Sequence, residues 1–316
     1  MTTLTVASPT RTISTHAERD RLRASFALAL EAEGASAATR RVYGYAVRTL
    51  FSGLESMGLN SLPASATTAE HIRHVLTEKQ RGGSSPGTVN TIHRGLRRFF
   101  AWLCEEGERA DNPMLKIAAP AVPEKPLDAP SREQIVVLIA HCKKDQRKTL
   151  GARDAALLMV MASTGLRAAE MCALRVEDID LKARLAVISG KGRKVRPVPF
   201  EPSVLRALTR YWRLAGVIEG AAFCDRSGKP LSTSALYLMV RRRGSEIGIE
   251  KLHPHLLRHT WATAMLEAEL PEQAIRVLAG WSPGSRMLQR YSAHQAEALA
   301  VEARRRITLV GRRPNE

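Results

Sequence analysis

The sequence predicts a mainly α-helical protein of two domains, with one small antiparallel β-hairpin in the second. Three observations carry this. Apolar residues recur at helical spacing from about residue 18 to 110 and again beyond 131. Prolines 113, 120, 123, 126 and 130 interrupt that pattern, and proline removes backbone donors and disfavours helix in the residue before it. Only RLAVISGKGRKVRPVPF reads as two strands joined by a Gly-Lys-Gly turn. The expected boundaries are 18–112 for a helical domain, 113–130 for an extended linker, and 131–308 for the second domain. A chain of 316 residues is long enough to bury two such cores.

Within the first domain, SAATRRVYGYAVRTLFSGLESMG carries apolar positions at helical spacing and a basic pair, Arg40 and Arg41. Thr67-Thr68-Ala69-Glu70 has the form of a capping box opening the next helix. Ser85-Pro86 then starts a long helix, with serine at the cap and proline in the first turn. Its core stripe is Val89, Ile92, Leu96, Phe99, Phe100 and Leu103. Between these stand Asn90, His93, Arg94, Arg97 and Arg98, a basic face expected to meet DNA. In the second domain, Ser131-Arg132-Glu133-Gln134 is another capping box. ARDAALLMVMASTGLRAAEMCAL reads as a buried helix, a Thr-Gly break and a short second helix, and helices dominate again from 202 onward.

Charge narrows the function classes. Lys+Arg 48 against Asp+Glu 31 gives +17, well beyond the roughly 2–8 that solubility asks for, so a polyanion is the expected partner, nucleic acid first. No apolar run approaches the roughly 20 residues that span a bilayer. The N-terminal MTTLTVASPTRTISTH lacks a signal-peptide core and reads as a Ser/Thr-rich arm. Cys104, Cys142, Cys172 and Cys224 show no CxxC or disulfide spacing, as expected of reduced thiols in a cytoplasmic protein.

The chemistry concentrates in HPHLLRH, residues 253–259. His255 and His259, four apart on a helix, have the spacing of a zinc-binding pair. Yet Arg258 stands on that same face, and a guanidinium repels a cation. The group suits a phosphate better. Four more features align with it: Arg167 after a glycine break in TGLRAAE, Lys191 between glycines in GKGRK, Trp281 in AGW, and Tyr291 in RYSAH.

TGLRAAE, GKGRK, HLLRH, AGW and RYSAH, in that order, resemble the tyrosine recombinase (phage integrase) family, with an Xer/integrase-like character. The resemblance covers about residues 20–300. It implies an N-terminal helical core-binding domain of SAM-like fold and a mostly α catalytic domain with a small antiparallel sheet. It further implies a site-specific recombinase that cleaves and rejoins DNA through a 3′-phosphotyrosyl bond, giving integration, excision or resolution. Tyr291 would be the nucleophile. Arg167 and Arg258 would clamp the non-bridging oxygens, and His255 would be general base or phosphate donor. Lys191 would protonate the departing 5′-oxygen, with Lys194 a nearby rival and DNA contact. Trp281 would donate its indole N–H to the phosphate from a position where the family usually has histidine. Glu170 would support Arg167, and His259 would lock Arg258. Tyr291 lies ten residues after Trp281, where the family commonly shows nine. Tyr43, Tyr45, Tyr211 and Tyr237 lie outside the expected context.

Partners follow from the same resemblance: double-stranded DNA with paired recognition sites, a homo-tetramer on that DNA, no membrane, and a cytoplasmic, nucleoid-associated location. No cofactor is expected. The acidic groups 105–108 and 177–180 look like helix ends or turns rather than a two-metal site, and Gly190-Lys191-Gly192 lacks phosphate-loop spacing. Two alternatives stand beside this reading. One is a type IB topoisomerase-like enzyme that relaxes DNA; the other is a noncatalytic DNA-binding regulator on the same fold.

Overall fold

The computed structural model describes residues 15–123, 128–190, 195–282 and 285. The chain forms two compact units, Met1–Lys125 and Pro126–Glu316. Among the described residues no helix is long and apolar enough to cross a membrane.

The first unit holds α1 (Thr15–Ala32), α2 (Ala37–Ser56), α3 (Ala69–Arg81) and α4 (Pro86–Glu105). Ser85 caps α4, its hydroxyl accepting the Thr88 N–H at 3.2 Å, and Pro86 occupies the first turn. Every residue of the stripe from Val89 to Leu103 is buried. Four aromatic rings, Phe26, Phe51, Phe100 and Trp102, surround Phe99 with centroids 5.2–6.1 Å away, mostly edge-on, as ring quadrupoles favour. α2 and α4 cross closely because Gly95 has no side chain: a Cβ there would lie 2.6 Å from that of Ala46.

Two expectations need correction. The cap of α3 is Thr68, not Thr67, and its reciprocal partner is His71, whose Nδ1 accepts the Thr68 N–H at 3.3 Å. An imidazole here does what a glutamate usually does, so the expected Glu70 is only a first-turn acid. The stretch expected to open as extended linker instead begins with a 3-10 turn over Pro113–Lys116, whose Met114 joins the first unit's core.

The second unit contains α5 (Arg132–Lys143), α6 (Lys148–Thr164), α7 (Ala168–Ala173), β1 (Ile179–Asp180), β2 (Leu185–Ser189), β3 (Val195–Pro199), α8 (Pro202–Ala215), α9 (Thr233–Ser245), α10 (Pro254–Glu267) and α11 (Glu272–Ala279). Ser131 and Gln134 form the reciprocal cap of α5, at 2.8 and 3.2 Å. α6 runs through the core and buries Asp154 completely. That carboxylate is satisfied by Arg153 at 2.8 Å and Arg243 at 2.8 Å, as a buried charge requires.

The strands form an antiparallel sheet in the order β1-β2-β3; the two-residue β1 is an addition to the predicted hairpin. Ile188 pairs with Arg196 and Val187 with Pro197. β2 and β3 alternate exposed and buried positions, so Ala186, Ile188, Arg196 and Val198 face inward. Pro197 and Pro199 are tolerated because β3 is an edge strand among the described residues.

Candidate active site

The site begins where α6 stops. Gly165 ends the helix in the left-handed region at φ 61°, and a Cβ there would lie 2.2 Å from the Trp261 ring. Both facts demand glycine. The chain then re-enters helix at Ala168, leaving Arg167 at the cap position of α7. Its Nη1 donates to Glu170 Oε1 at 2.8 Å, and its backbone N–H donates to Glu170 Oε2 at 3.0 Å. Arg167 thus keeps the ion pair that its spacing from Glu170 allows, while remaining partly open to solvent.

Arg258 comes from α10 and is 2% exposed. Its Nη1 donates to the Gly165 carbonyl at 2.5 Å, its Nη2 to the Ala279 carbonyl at 2.7 Å, and its Cζ lies 5.1 Å from the Trp281 ring centroid. Two carbonyls and a π-face fix the plane of the guanidinium fork.

α11 supplies the anchor. Its last carbonyls have no helical N–H to accept, and they lie at the negative end of the helix dipole. Here the Leu278, Ala279 and Gly280 oxygens accept in turn from Arg196 Nε at 2.8 Å, Arg258 Nη2 at 2.7 Å and Arg167 Nη2 at 2.7 Å. Three arginines from three elements converge on one helix end. Gly280 closes that end at φ 62°, and the Trp281 N–H returns to the Arg276 carbonyl at 3.0 Å, a Schellman-type stop. A side chain at 280 would press on the arginines, its Cβ 2.9 Å from Arg196 Nη1 and 3.3 Å from Arg167 Nη1.

His255 is more open than Arg258, although both rise from one turn of α10. Its ring meets buried His259 edge-on with centroids 4.5 Å apart. Desolvation, and then the charges of Arg258, His253 and Arg167, hold its pKa below the ordinary 6.5. A neutral imidazole can accept a proton. The ladder continues outward, His253 stacking at 6.5 Å from His255 and Tyr237 at 6.3 Å from His253. Tyr237 therefore lies nearer the site than its sequence context implied.

Arg196 had no place among the expected site residues. It is 7% exposed and grips both oxygens of Glu170, at 3.0 and 2.8 Å. Burial pushes the Glu170 carboxyl up, but Arg196 and the Arg167 backbone and side chain outweigh this and bring it down to about 2. The signal in the sequence was local: VRPVP places an arginine at an inward position of an alternating strand.

In the first unit the basic face of α4 divides. Arg94 and Arg97 are exposed, and neither has an ion-pair or hydrogen-bond partner among the described residues. Arg98 instead pairs with Glu33 and Glu105. The expected DNA contacts Asn90 and His93 are turned to structural use. Asn90 Nδ2 donates to the Pro120 carbonyl at 2.9 Å, and buried His93 sets Nε2 3.0 Å from the Ile117 carbonyl. Polar side chains on this face hold the descending chain. On α2, Arg40 pairs with Glu31 at 2.5 Å while Arg41 is exposed. Lys191, Lys194 and Tyr291 lie outside the described residues, as does the segment 292–308. No group of three His, Cys, Asp or Glu side chains suited to a metal occurs among the described residues.

Comparison with known proteins places this geometry. Residues 131–298 match the phage integrase family. The tyrosine recombinase XerC of Alcanivorax borkumensis is 31% identical over 228 residues, covering 70% of this chain and 74% of that one. The XerC of Pseudomonas aeruginosa is 32% identical over 230 residues, covering 72% and 74%. Two solved structures share the fold at lower identity. The XerH site-specific recombinase bound to a palindromic difH substrate aligns at TM-score 0.70 and 20% identity, over 92% of this chain and 84% of that one. The Tn1549 transposon integrase bound to transposon right-end DNA aligns at TM-score 0.69 and 19% identity, over 90% and 99%. By the extent of these sequence matches, the chain belongs to the phage integrase family and is a tyrosine-type recombinase.

Proposed function

We propose that this recombinase cuts and rejoins duplex DNA one strand at a time, with Tyr291 attacking the scissile phosphate. The attack forms a 3′-phosphotyrosyl bond and releases a 5′-hydroxyl, so the energy of the broken diester is kept and no nucleotide is needed. A phosphodiester carries one negative charge, and attack by phenolate adds a second. Arg167 and Arg258 meet that charge through paired, charge-assisted hydrogen bonds. Neutral His255 takes the phenol proton, and Lys191 delivers a proton to the leaving oxygen. Trp281 donates its indole N–H to the phosphate and packs on Arg258. Glu170 and His259 hold the two arginines in place, while Arg41, Arg94, Arg97 and Lys194 contact the DNA backbone. Paired recognition sites and a homo-tetramer on DNA complete the reading, in the cytoplasm with the nucleoid.

The observation that carries it is the convergence of Arg167 and Arg258, distant in sequence, on adjacent carbonyls of α11. A structural role alone would not explain why Arg167 remains partly exposed beside a histidine kept neutral. Arg167→Ala or Arg258→Ala should lower single-turnover cleavage by on the order of 10²-fold or more, as loss of an oxyanion donor does. Binding to the same DNA should persist. Wild-type cleavage by both variants would remove the clamp from the mechanism.

A further inference from the structure

Glu170 is one carboxylate serving two guanidinium groups, Arg167 at 2.8 Å and Arg196 at 2.8 and 3.0 Å. The three charges sum to plus one. Without Arg196 the remaining pair would sum to zero, because Glu170 and Arg167 would neutralise each other. A buried carboxylate deprived of one partner leans harder on the other.

We propose that Arg196 is a positioning residue: by taking both oxygens of Glu170, it stops that carboxylate from capturing Arg167 and leaves the Arg167 charge available to the scissile phosphate. Arg196 suits the task by its placement. It projects inward from β3, opposite Ile188, and is 7% exposed, so it cannot itself reach DNA as a surface arginine does. Its Nε is tied to the Leu278 carbonyl at 2.8 Å, one residue before the carbonyl that holds Arg258 and two before the one that holds Arg167. Lysine could supply the charge but not the fork together with the third bond. Gly280 keeps the space open, since a Cβ there would stand 3.1 Å from Arg196 Cζ. The strand that carries Arg196 also follows Lys191 in the sequence, and the same anchor ties β3 to α11.

The inference rests on Arg167 acting at the phosphate, and the experiment separates the two. Full-length protein is given a nicked suicide substrate at saturating concentration, and the rate of covalent adduct formation is measured beside DNA affinity and thermal midpoint. Arg196→Gln should slow adduct formation roughly tenfold to a hundredfold, below the full loss of a phosphate donor, with affinity within about twofold, since many other phosphate contacts set it. Arg196→Lys should recover part of the rate. Adding Glu170→Gln to Arg196→Gln should raise the rate above that of Arg196→Gln alone, because the competing carboxylate is gone. A residue that merely staples sheet to helix predicts otherwise: its rate loss would follow the thermal midpoint, and Glu170→Gln would deepen it. Wild-type cleavage by Arg196→Gln overturns the proposal, as does a loss that neither lysine nor Glu170→Gln relieves. Should Arg196→Gln fail to fold, Arg196→Lys and the double variant decide, and both must cleave at rates between those of wild type and Arg167→Ala. If Arg167→Ala itself cleaves normally, the clamp reading fails; if it is inactive while Arg196→Gln is normal, only this inference fails.

Discussion

At Glu170 a side chain only 7% exposed stays ionised because four donors from two arginines meet it, and its pKa falls to about 2. The stability it contributes is therefore complete above the ordinary carboxylate value and is lost as pH falls through about 2. His255 moves in the opposite sense chemically. Its pKa is lowered from 6.5, so the neutral ring persists into mildly acidic solution, and the folded state loses stability as pH drops below the unfolded value. We predict that cleavage stays flat as pH falls through 6.5 and declines only below the lowered value; His255→Gln should be slower and lack that acid limb. A rate that already halves at 6.5 in wild type would contradict the assignment. Arg167, Glu170 and Arg258 were legible because each stands in a short motif with its own chemistry. Arg196 was not, since its meaning lies in an inward strand position and in carbonyls more than eighty residues away. The partners of His93 and Asn90 were hidden for a related reason: they are the carbonyls of Ile117 and Pro120, which spacing within α4 cannot reveal.

Among the elements, the C-terminus of α11 has the most demanding geometry. An eight-residue helix ends in a left-handed glycine, and its last carbonyls receive three arginines. Gly280→Ala should therefore act twice. The backbone at φ 62° strains a Cβ by about 1 kcal/mol, and contact with Arg196 and Arg167 displaces the clamp. We expect a lower thermal midpoint together with at least tenfold slower cleavage at saturating DNA; a fall in midpoint with an unchanged cleavage rate would refute the second effect. Elements with strong local signals were readable, as Ser85-Pro86 and the stripe of α4 show, since capping and periodicity are properties of a few consecutive residues. β1 was invisible because two residues carry no alternation. The cap of α3 was misread by one position because histidine took the part expected of glutamate.

For the whole molecule, the two-unit division fell within the proline-rich stretch, at Lys125 and Pro126, although the 3-10 turn at 113–116 belongs to the first unit. The excess of +17 does not act uniformly. Some basic side chains are held in ion pairs, as Arg19, Arg98 and Arg243 are, whereas Arg94 and Arg97 are exposed on α4. Removing either should reduce the slope of log affinity against log salt by about one, as loss of one phosphate contact does, and leave the saturated cleavage rate unchanged. Arg98→Ala serves as the comparison, and an equal change there would show that the slope reports general charge rather than contact.

The identity of the nucleophile tests the account most directly. Tyr211 is buried, with its hydroxyl accepting the Cys224 N–H at 3.1 Å, which leaves it unable to approach DNA. Tyr237 is the serious rival, 44% exposed and stacked on His253 beside His255. Wild-type protein should be trapped on a nicked substrate, digested, and the DNA-linked peptide sequenced. The account predicts the adduct on Tyr291, none with Tyr291→Phe despite retained binding, and a normal adduct with Tyr237→Phe. An adduct on Tyr237, or one that survives Tyr291→Phe, would contradict it.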